Sequence, residues 1–179
     1  MSNLQAGLFL SIPVEEALGR IWEEMLVQWL IGPGPAFRLV SKGTHRPVYL
    51  ATWAEVDRIV REALSNAIIH AQAANIVICV AYEADTFQIV VRDDGRGIDP
   101  EILAAGRAGH WGLCGMRERA ARIGARFRIR SAASGGTEVD LCVPGHVAYG
   151  YAPEVNGRGR RWGVLDRLWR VLDPTLQEC

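Results

Sequence analysis

The sequence predicts an α/β fold, a sheet with helices packed on it, on three observations. A long stretch from Thr52 carries Val56, Ile59, Val60, Ala63, Leu64, Ala67 and Ile68 at helical spacing on one face. Two pairs of short apolar runs, 76–82 with 87–92 and 126–130 with 137–143, each straddle a turn-forming segment. A chain of 179 residues, 49% of them apolar, supports one domain with a real core plus appendages but not two full domains.

Charge and composition exclude several classes. Twenty basic and twenty acidic residues cancel, which argues against a general polyanion binder, and no nucleic-acid partner is expected. Lys42 is the only lysine, and no Gly-Lys-Ser or Gly-Lys-Thr occurs, so a Walker-type phosphate loop is absent. The cysteines, Cys79, Cys114, Cys142 and Cys179, form no Cys-x-x-Cys pair, so free thiols in a reducing compartment are expected. No run approaches the roughly 18 apolar residues of a membrane span, and the N-terminus lacks the basic start of a leader, which predicts a soluble cytoplasmic protein.

The elements follow in order. Val14, Ala17, Leu18, Ile21, Trp22, Met25, Leu26, Trp29 and Leu30 stand opposite Glu15, Glu16, Glu23 and Glu24, predicting an amphipathic helix over 14–30 that seeks a partner surface. Gly32-Pro33-Gly34-Pro35 ends it as a linker. Runs 37–40 and 47–50 read as short strands around a Lys42-Gly43-Thr44 turn, and Thr52 with Glu55 reads as a capping box opening the long helix. A hairpin over 76–92, a glycine-rich segment over 95–115, a helix over 113–123 and a second hairpin across Ala133-Ser134-Gly135-Gly136 complete the sheet, which Pro144-Gly145 bounds. The expected division is 1–35 for helix and linker, 36–145 for the main domain, and 146–179 for a basic tail with a short helix over 164–172.

Four patterns carry chemistry. Glu62, Asn66 and His70 stand four apart, on a side turned away from the apolar stripe. Such spacing usually makes a solvated face, yet a carboxylate and an amide oxygen there also suit a hydrated magnesium ion. Arg92-Asp93-Asp94-Gly95-Arg96-Gly97 ends a strand. It reads as a turn, or as a site where Asp93, an acceptor only, takes a hydrogen bond from an exocyclic amine while Gly95 and Gly97 let the backbone close in. On the second reading such a carboxylate would favour adenine over guanine. Gly109-His110-Trp111-Gly112-Leu113-Cys114-Gly115-Met116 runs into a helix, and reads either as a flexible loop or as glycines exposing N–H groups to phosphate oxygens. Gly135-Gly136-Thr137 alone says hairpin turn.

In this order, Glu62-x-x-x-Asn66, Asp93-x-Gly95-x-Gly97, Gly112-Leu113-x-Gly115-Met116 and Gly136-Thr137 resemble the N, G1, G2 and final Gly-Thr boxes of the histidine-kinase ATPase domain, in the superfamily shared with DNA gyrase. The run 109–120 is similar to sensor kinases that pair with helix-turn-helix response regulators, and the resemblance covers about residues 37–144. It implies a two-layer α/β (α+β) sandwich, a mixed, mostly antiparallel sheet covered on one face by three helices. ATP would lie between those helices and a lid over about 99–111. Asp93 matches the adenine-reading carboxylate, with Gly95 and Gly97 the turn beside it. Asn66 matches the Mg2+ ligand, and Glu62 the catalytic position that assists phosphotransfer as base or polarising group. Gly112, Leu113, Gly115 and Met116 match the phosphate loop and lid base, and Thr137 a hydroxyl near adenine. His70 and His110 complete the residues assigned to ATP. The implied activity is magnesium- and ATP-dependent phosphotransfer to histidine in two-component signalling, with a phosphoacceptor domain and a response regulator as partners.

The sequence departs from that pattern twice. Where the family carries Lys or Arg three residues after the asparagine, this chain has Ile69, leaving Arg107, His110 or Arg117 to supply a cation. Of the four histidines, His45, His70, His110 and His146, none fits a phosphoacceptor in a dimerisation helix, and His45 lies two residues before Pro47. The acceptor is therefore expected on another chain or a missing module, with 14–30 as a remnant of the dimerisation helix and a route to a dimer. Two rivals stand: a serine kinase of the anti-sigma-factor type on the same fold, and a non-catalytic nucleotide-binding module that titrates a kinase through 14–30. In the tail, Arg158, Arg160, Arg161, Arg167 and Arg170 beside Trp162 and Trp169 read as a docked helix or frayed terminus ahead of a membrane-surface or partner helix.

Overall fold

Alternation within the strands builds the sheet. In β2 (Asn75–Tyr82) and β3 (Thr86–Asp93), Ile76, Ile78 and Val80 point to the same side as Phe87, Ile89 and Val91, and all six are 4% exposed or less. The computed structural model describes residues 8–29, 34–98, 111–131 and 135–150. Within them a five-stranded sheet has the order β1-β2-β3-β5-β4, with β1 (Ala36–Lys42), β4 (Arg126–Ser131) and β5 (Thr137–Pro144). β1 runs parallel to β2, and the other pairs are antiparallel. Both expected hairpins form. One row across the sheet, Ile78, Val91, Val139 and Ile129, faces the helices, and the next row toward the sheet's end is Ile76, Asp93, Thr137 and Ser131. Polar side chains thus replace apolar ones where the strands run out.

The helices α1 (Val14–Trp29), α2 (Leu50–Ser65), α3 (Trp111–Arg122) and the short α4 (Gly145–Tyr149) contribute to one core with that face. Leu18, Val56 and Leu64 are fully buried, and Ile59 and Met116 nearly so, each contributing about 1.5–3 kcal/mol of transfer free energy. Glu55 of α2 stands 3.5–3.8 Å from Arg58, Arg119 and Arg122 and latches α2 to α3. On the sheet's other face Cys79, Ala81 and Val90 form a small separate cluster. Cys79, Cys114 and Cys142 are free thiols, and burial pushes the first and last up to about 11.

One sequence expectation is made specific and two are corrected. The sequence left open what the apolar stripe of α1 packs on: Val14, Ala17, Leu18, Ile21, Trp22 and Met25 are buried in the chain's own core, and Trp22 stacks on Phe37 at 4.4 Å. Val27 and Trp29, toward the end of the helix, are left 89% and 47% exposed. Residues 47–50 form no strand. Only Tyr49 makes an isolated bridge, to Phe9, and Leu50 opens α2, because β1 finds its partner in the distant β2 instead. Thr52 and Glu55 form no capping box. Tyr49 caps the helix without a side-chain bond, and the Thr52 hydroxyl donates to the Val147 carbonyl at 2.8 Å, tying α2 to α4.

Candidate functional site

Asp93 ends β3 with its side chain 6% exposed. Its carboxylate accepts the Gly95 N–H at 2.9 Å and the N–H of Thr137. Burial nevertheless dominates and raises its pKa above the ordinary aspartate value, with Asp94 pushing the same way. The next residue behaves oppositely. Asp94 accepts the N–H groups of Ala74 and Asn75 at 2.8 Å each and the Asn75 amide at 2.6 Å. Burial acts to raise its pKa, but these bonds outweigh it and leave the group below its ordinary value.

The turn after Asp93 is pressed against Ala71, at the end of the helical segment that continues α2. A Cβ on Gly95 would stand 2.4 Å from the Ala71 carbonyl oxygen, and the Arg96 N–H donates to that same oxygen at 3.0 Å. Gly97 adopts φ 75°, which favours glycine. Across the sheet Thr137, 8% exposed, pairs with Asp93 on one side and Ser131 on the other. The Ser131 hydroxyl meets three groups: the Ile98 N–H at 2.7 Å, the Gly136 carbonyl at 3.0 Å and the Thr137 hydroxyl at 3.3 Å.

The long helix does not run through as α-helix. After Ser65 it widens into a π-helical segment, Asn66–Ala71, closed by Gln72 in the left-handed region at φ 53°. Single π-turns of this kind recur at functional sites. Glu62 and Asn66 meet as the four-residue spacing predicts, the amide nitrogen donating to the carboxylate at 3.5 Å. The wider i→i+5 turn breaks the expected stacking of His70 above them. His70 is exposed, and Ile69 is 40% exposed.

The start of α3 completes this end. A Cβ on Gly112 would fall on the Glu62 carboxylate, whereas one on Gly115 would meet open space. Leu113 and Met116, expected at a phosphate loop, are 7% and 1% exposed, and their side chains belong to the core. A ligand at α3 therefore meets backbone and glycine there, not the Leu113 side chain. A cleft of about 510 Å³ is lined by Glu62, Ser65, Gly112 and Gly115 together with Arg58, Arg61 and Arg119. Asp93 and Thr137 do not line it.

The structure thus joins Glu62, Asn66, Gly112 and Gly115 at one end and Asp93, Gly95, Gly97 and Thr137 at the other, with Ala71 as the bridge. His110, Arg107 and the expected lid lie outside the described residues, as does the tail beyond Gly150. Sequence reasoning missed Ser131, Ala71, Asp94 and the cleft's arginines. Asp94 had been visible only as part of an Asp-Gly turn. Ser131 becomes visible once the second hairpin is put in register, opposite Thr137.

A sheet covered by helices on one side, with a buried carboxylate at its end and a glycine-opened helix beside an acid–amide pair, defines an ATPase domain. The family model described as histidine kinase-, DNA gyrase B-, and HSP90-like ATPase matches residues 53–146, just over half of the chain, and the chain belongs to that family. Among its relatives, the nitrate/nitrite sensor protein NarX of Escherichia coli K12 is 40% identical over 82 residues, 46% of this chain and 13% of NarX. The sensor histidine kinase YdfH of Bacillus subtilis is 36% identical over 107 residues, 59% of this chain and 26% of YdfH. The chain spans only a small part of the length of these relatives. Among solved structures, the histidine kinase domain of the Erythrobacter litoralis EL346 blue-light activated kinase matches with TM-score 0.61 at 24% identity, over 80% of this chain and 65% of that one. The mycobacterial sensor histidine kinase MprB matches with TM-score 0.61 at 16% identity, over 79% and 99%. Both likenesses concern the fold.

Proposed function

We propose that this chain is the magnesium-ATP-binding catalytic unit of a sensor histidine kinase, passing the γ-phosphoryl group to a histidine on another chain or module. The reading is carried by one relationship, the Glu62 carboxylate packed on the first turn of α3 with Asn66 beside it. Adenine would enter beside Asp93 and Thr137, whose acceptors match its exocyclic amine. The phosphates would lie toward the N–H groups at the start of α3, which with the helix dipole favour an anion.

The donor set suits a magnesium ion held mainly by phosphate and water. Among the described residues no group of three His, Cys, Asp or Glu could hold a metal. The Asn66 nitrogen is turned to Glu62, which leaves its carbonyl oxygen as a single hard ligand. Bound magnesium would supply charge neutralisation to the triphosphate. In transfer, an imidazole nitrogen attacks the γ-phosphorus, the bond to the β,γ-bridging oxygen breaks, and ADP leaves. Glu62 accepts or polarises the imidazole proton. His45 does not serve as acceptor on this reading: it packs on Tyr82, at the end of β2 away from Asp93. A response regulator would then take the phosphoryl group, and a cytoplasmic setting follows from that partner. No helix among the described residues is long and apolar enough to cross a membrane.

Incubation with γ-labelled ATP and magnesium, with and without the dimerisation domain of a sensor kinase, tests the proposal. Acid-labile label on that domain is expected. Acid-stable label on a partner would favour the serine-kinase reading, and nucleotide binding with no transfer to any acceptor would favour the interaction module.

A further inference from the structure

We propose that Ser131 is a positioning residue that fixes the polarity of the Thr137 hydroxyl and thereby sharpens the site's choice of a 6-amino over a 6-oxo purine. The inference rests on the adenine reading of Asp93 and extends it to a residue outside every motif of the family resemblance.

The argument is an inventory of protons. A serine hydroxyl has one proton to give and two lone pairs to receive. At Ser131 the proton goes to the Gly136 carbonyl at 3.0 Å, and one lone pair takes the Ile98 N–H at 2.7 Å. Only the second lone pair remains for Thr137, 3.3 Å away. The Thr137 hydroxyl must then donate to Ser131, which commits its proton within the protein. What it presents to a ligand is lone pairs alone. Asp93, its partner across β3 and β5, is likewise an acceptor as the carboxylate. Asp93 and Thr137 side by side therefore both seek a donor such as an exocyclic amine and both repel a ring carbonyl. Freed from Ser131, the Thr137 hydroxyl could rotate and donate to that carbonyl, and the discrimination would relax. Because Gly136 and Ile98 are backbone groups on either side, Ser131 cannot easily trade its partners.

Competition of ATP and inosine triphosphate against a fluorescent ATP analogue on the full chain tests this. Ser131→Ala should lower the ATP-over-ITP affinity ratio about three- to tenfold, the weight of one discriminating hydrogen bond. Ser131→Thr, which keeps the hydroxyl, should restore it. A purely structural role would weaken both nucleotides alike and leave the ratio unchanged, and that result overturns the proposal. Should Ser131→Ala fail to fold, Thr137→Val serves, since it spares the bonds of Ser131 to Ile98 and Gly136; an unchanged ratio there also overturns it. Asp93→Asn separates the levels. If it lowers the ratio while Ser131→Ala does not, only the role of Ser131 fails. If neither Asp93→Asn nor Ser131→Ala moves the ratio, the adenine reading fails and takes this proposal with it.

Discussion

The carboxylate of Glu62 occupies the place where a side chain on Gly112 would begin, so it can rest against α3 in this position only because residue 112 has none. The obstacle is the far end of a flexible side chain, which sets the consequence of filling it. Gly112→Ala should push Glu62 aside at little cost to the fold, within about 1 kcal/mol in urea unfolding. Phosphoryl transfer from ATP should fall at least about tenfold, because a positioned proton acceptor contributes about 10²–10⁴-fold. ATP affinity by calorimetry should stay within a factor of about two, an effect of a few tenths of a kcal/mol. A transfer rate equal to wild type would remove Glu62 from the mechanism.

Gly95 meets backbone instead. Its absent Cβ would lie 2.4 Å from the Ala71 carbonyl oxygen and 2.6 Å from the Ala71 Cβ, and neither yields without moving the π-turn. Gly95→Ala should therefore lower unfolding stability by about 1–3 kcal/mol, as overpacking does. It should also weaken ATP, since the Gly95 N–H orients Asp93. A variant as stable as wild type by urea titration would mean that the loop relaxes away from the helix.

What was legible in the chain divides by distance. Both hairpins could be read because alternation and turn residues are local, and Val139, Leu141 and Val143 announce their inward face. The four motif boxes were legible by resemblance, since nothing local says that Gly112 touches Glu62. The parallel pairing of β1 with β2 was not legible: it joins residues on either side of α2, and no pattern in 36–42 distinguishes it from a local hairpin. Thr52 carried the letters of a cap, but the tertiary partner Val147 outcompeted the local one. The π-turn at Asn66–Ala71 leaves no mark in hydrophobic spacing, so His70 was placed by a period that stops at Ser65. The stripe of α1 was read as apolar and in need of a partner surface, but a stripe does not say whose surface covers it, and here six of its residues are covered by the chain's own core.

Ile69, at the position where the motif resemblance implies a cation, is 40% exposed on the π-turn, three residues after Asn66. A guanidinium introduced there has room to extend, and its charge would lie in solvent-screened reach of the phosphates. Ile69→Arg should tighten magnesium-ATP about two- to fivefold in calorimetry, the yield of about 0.5–1 kcal/mol typical of an exposed ion pair. The gain should shrink as salt rises. An unchanged or weaker dissociation constant at low salt would show that other groups already meet that charge.

Asp93 and Asp94 should respond to acid in opposite ways, because burial raises the first pKa and hydrogen bonds lower the second. For Asp94, the folded value lies below the unfolded one. Its contribution to stability is present above the unfolded pKa, near 3.8, and is lost only as pH falls through the lower folded value. For Asp93 the sign reverses: the folded protein binds its proton more readily, and that stabilisation fades as pH rises through the raised value. On the proposed reading, however, the adenine amine donates to the ionised carboxylate. Nucleotide binding should therefore weaken on mild acidification while the hydrogen bonds that Asp94 accepts from Ala74 and Asn75 persist. The triphosphate itself takes up protons in this range, so the comparison must be made between wild type and Asp93→Asn with the same nucleotide. Dissociation constants from pH 7 down to about pH 4.5, just above the ordinary carboxylate range, are expected to converge as Asp93 is protonated. Parallel profiles for the two proteins would mean that Asp93 does not titrate against the nucleotide.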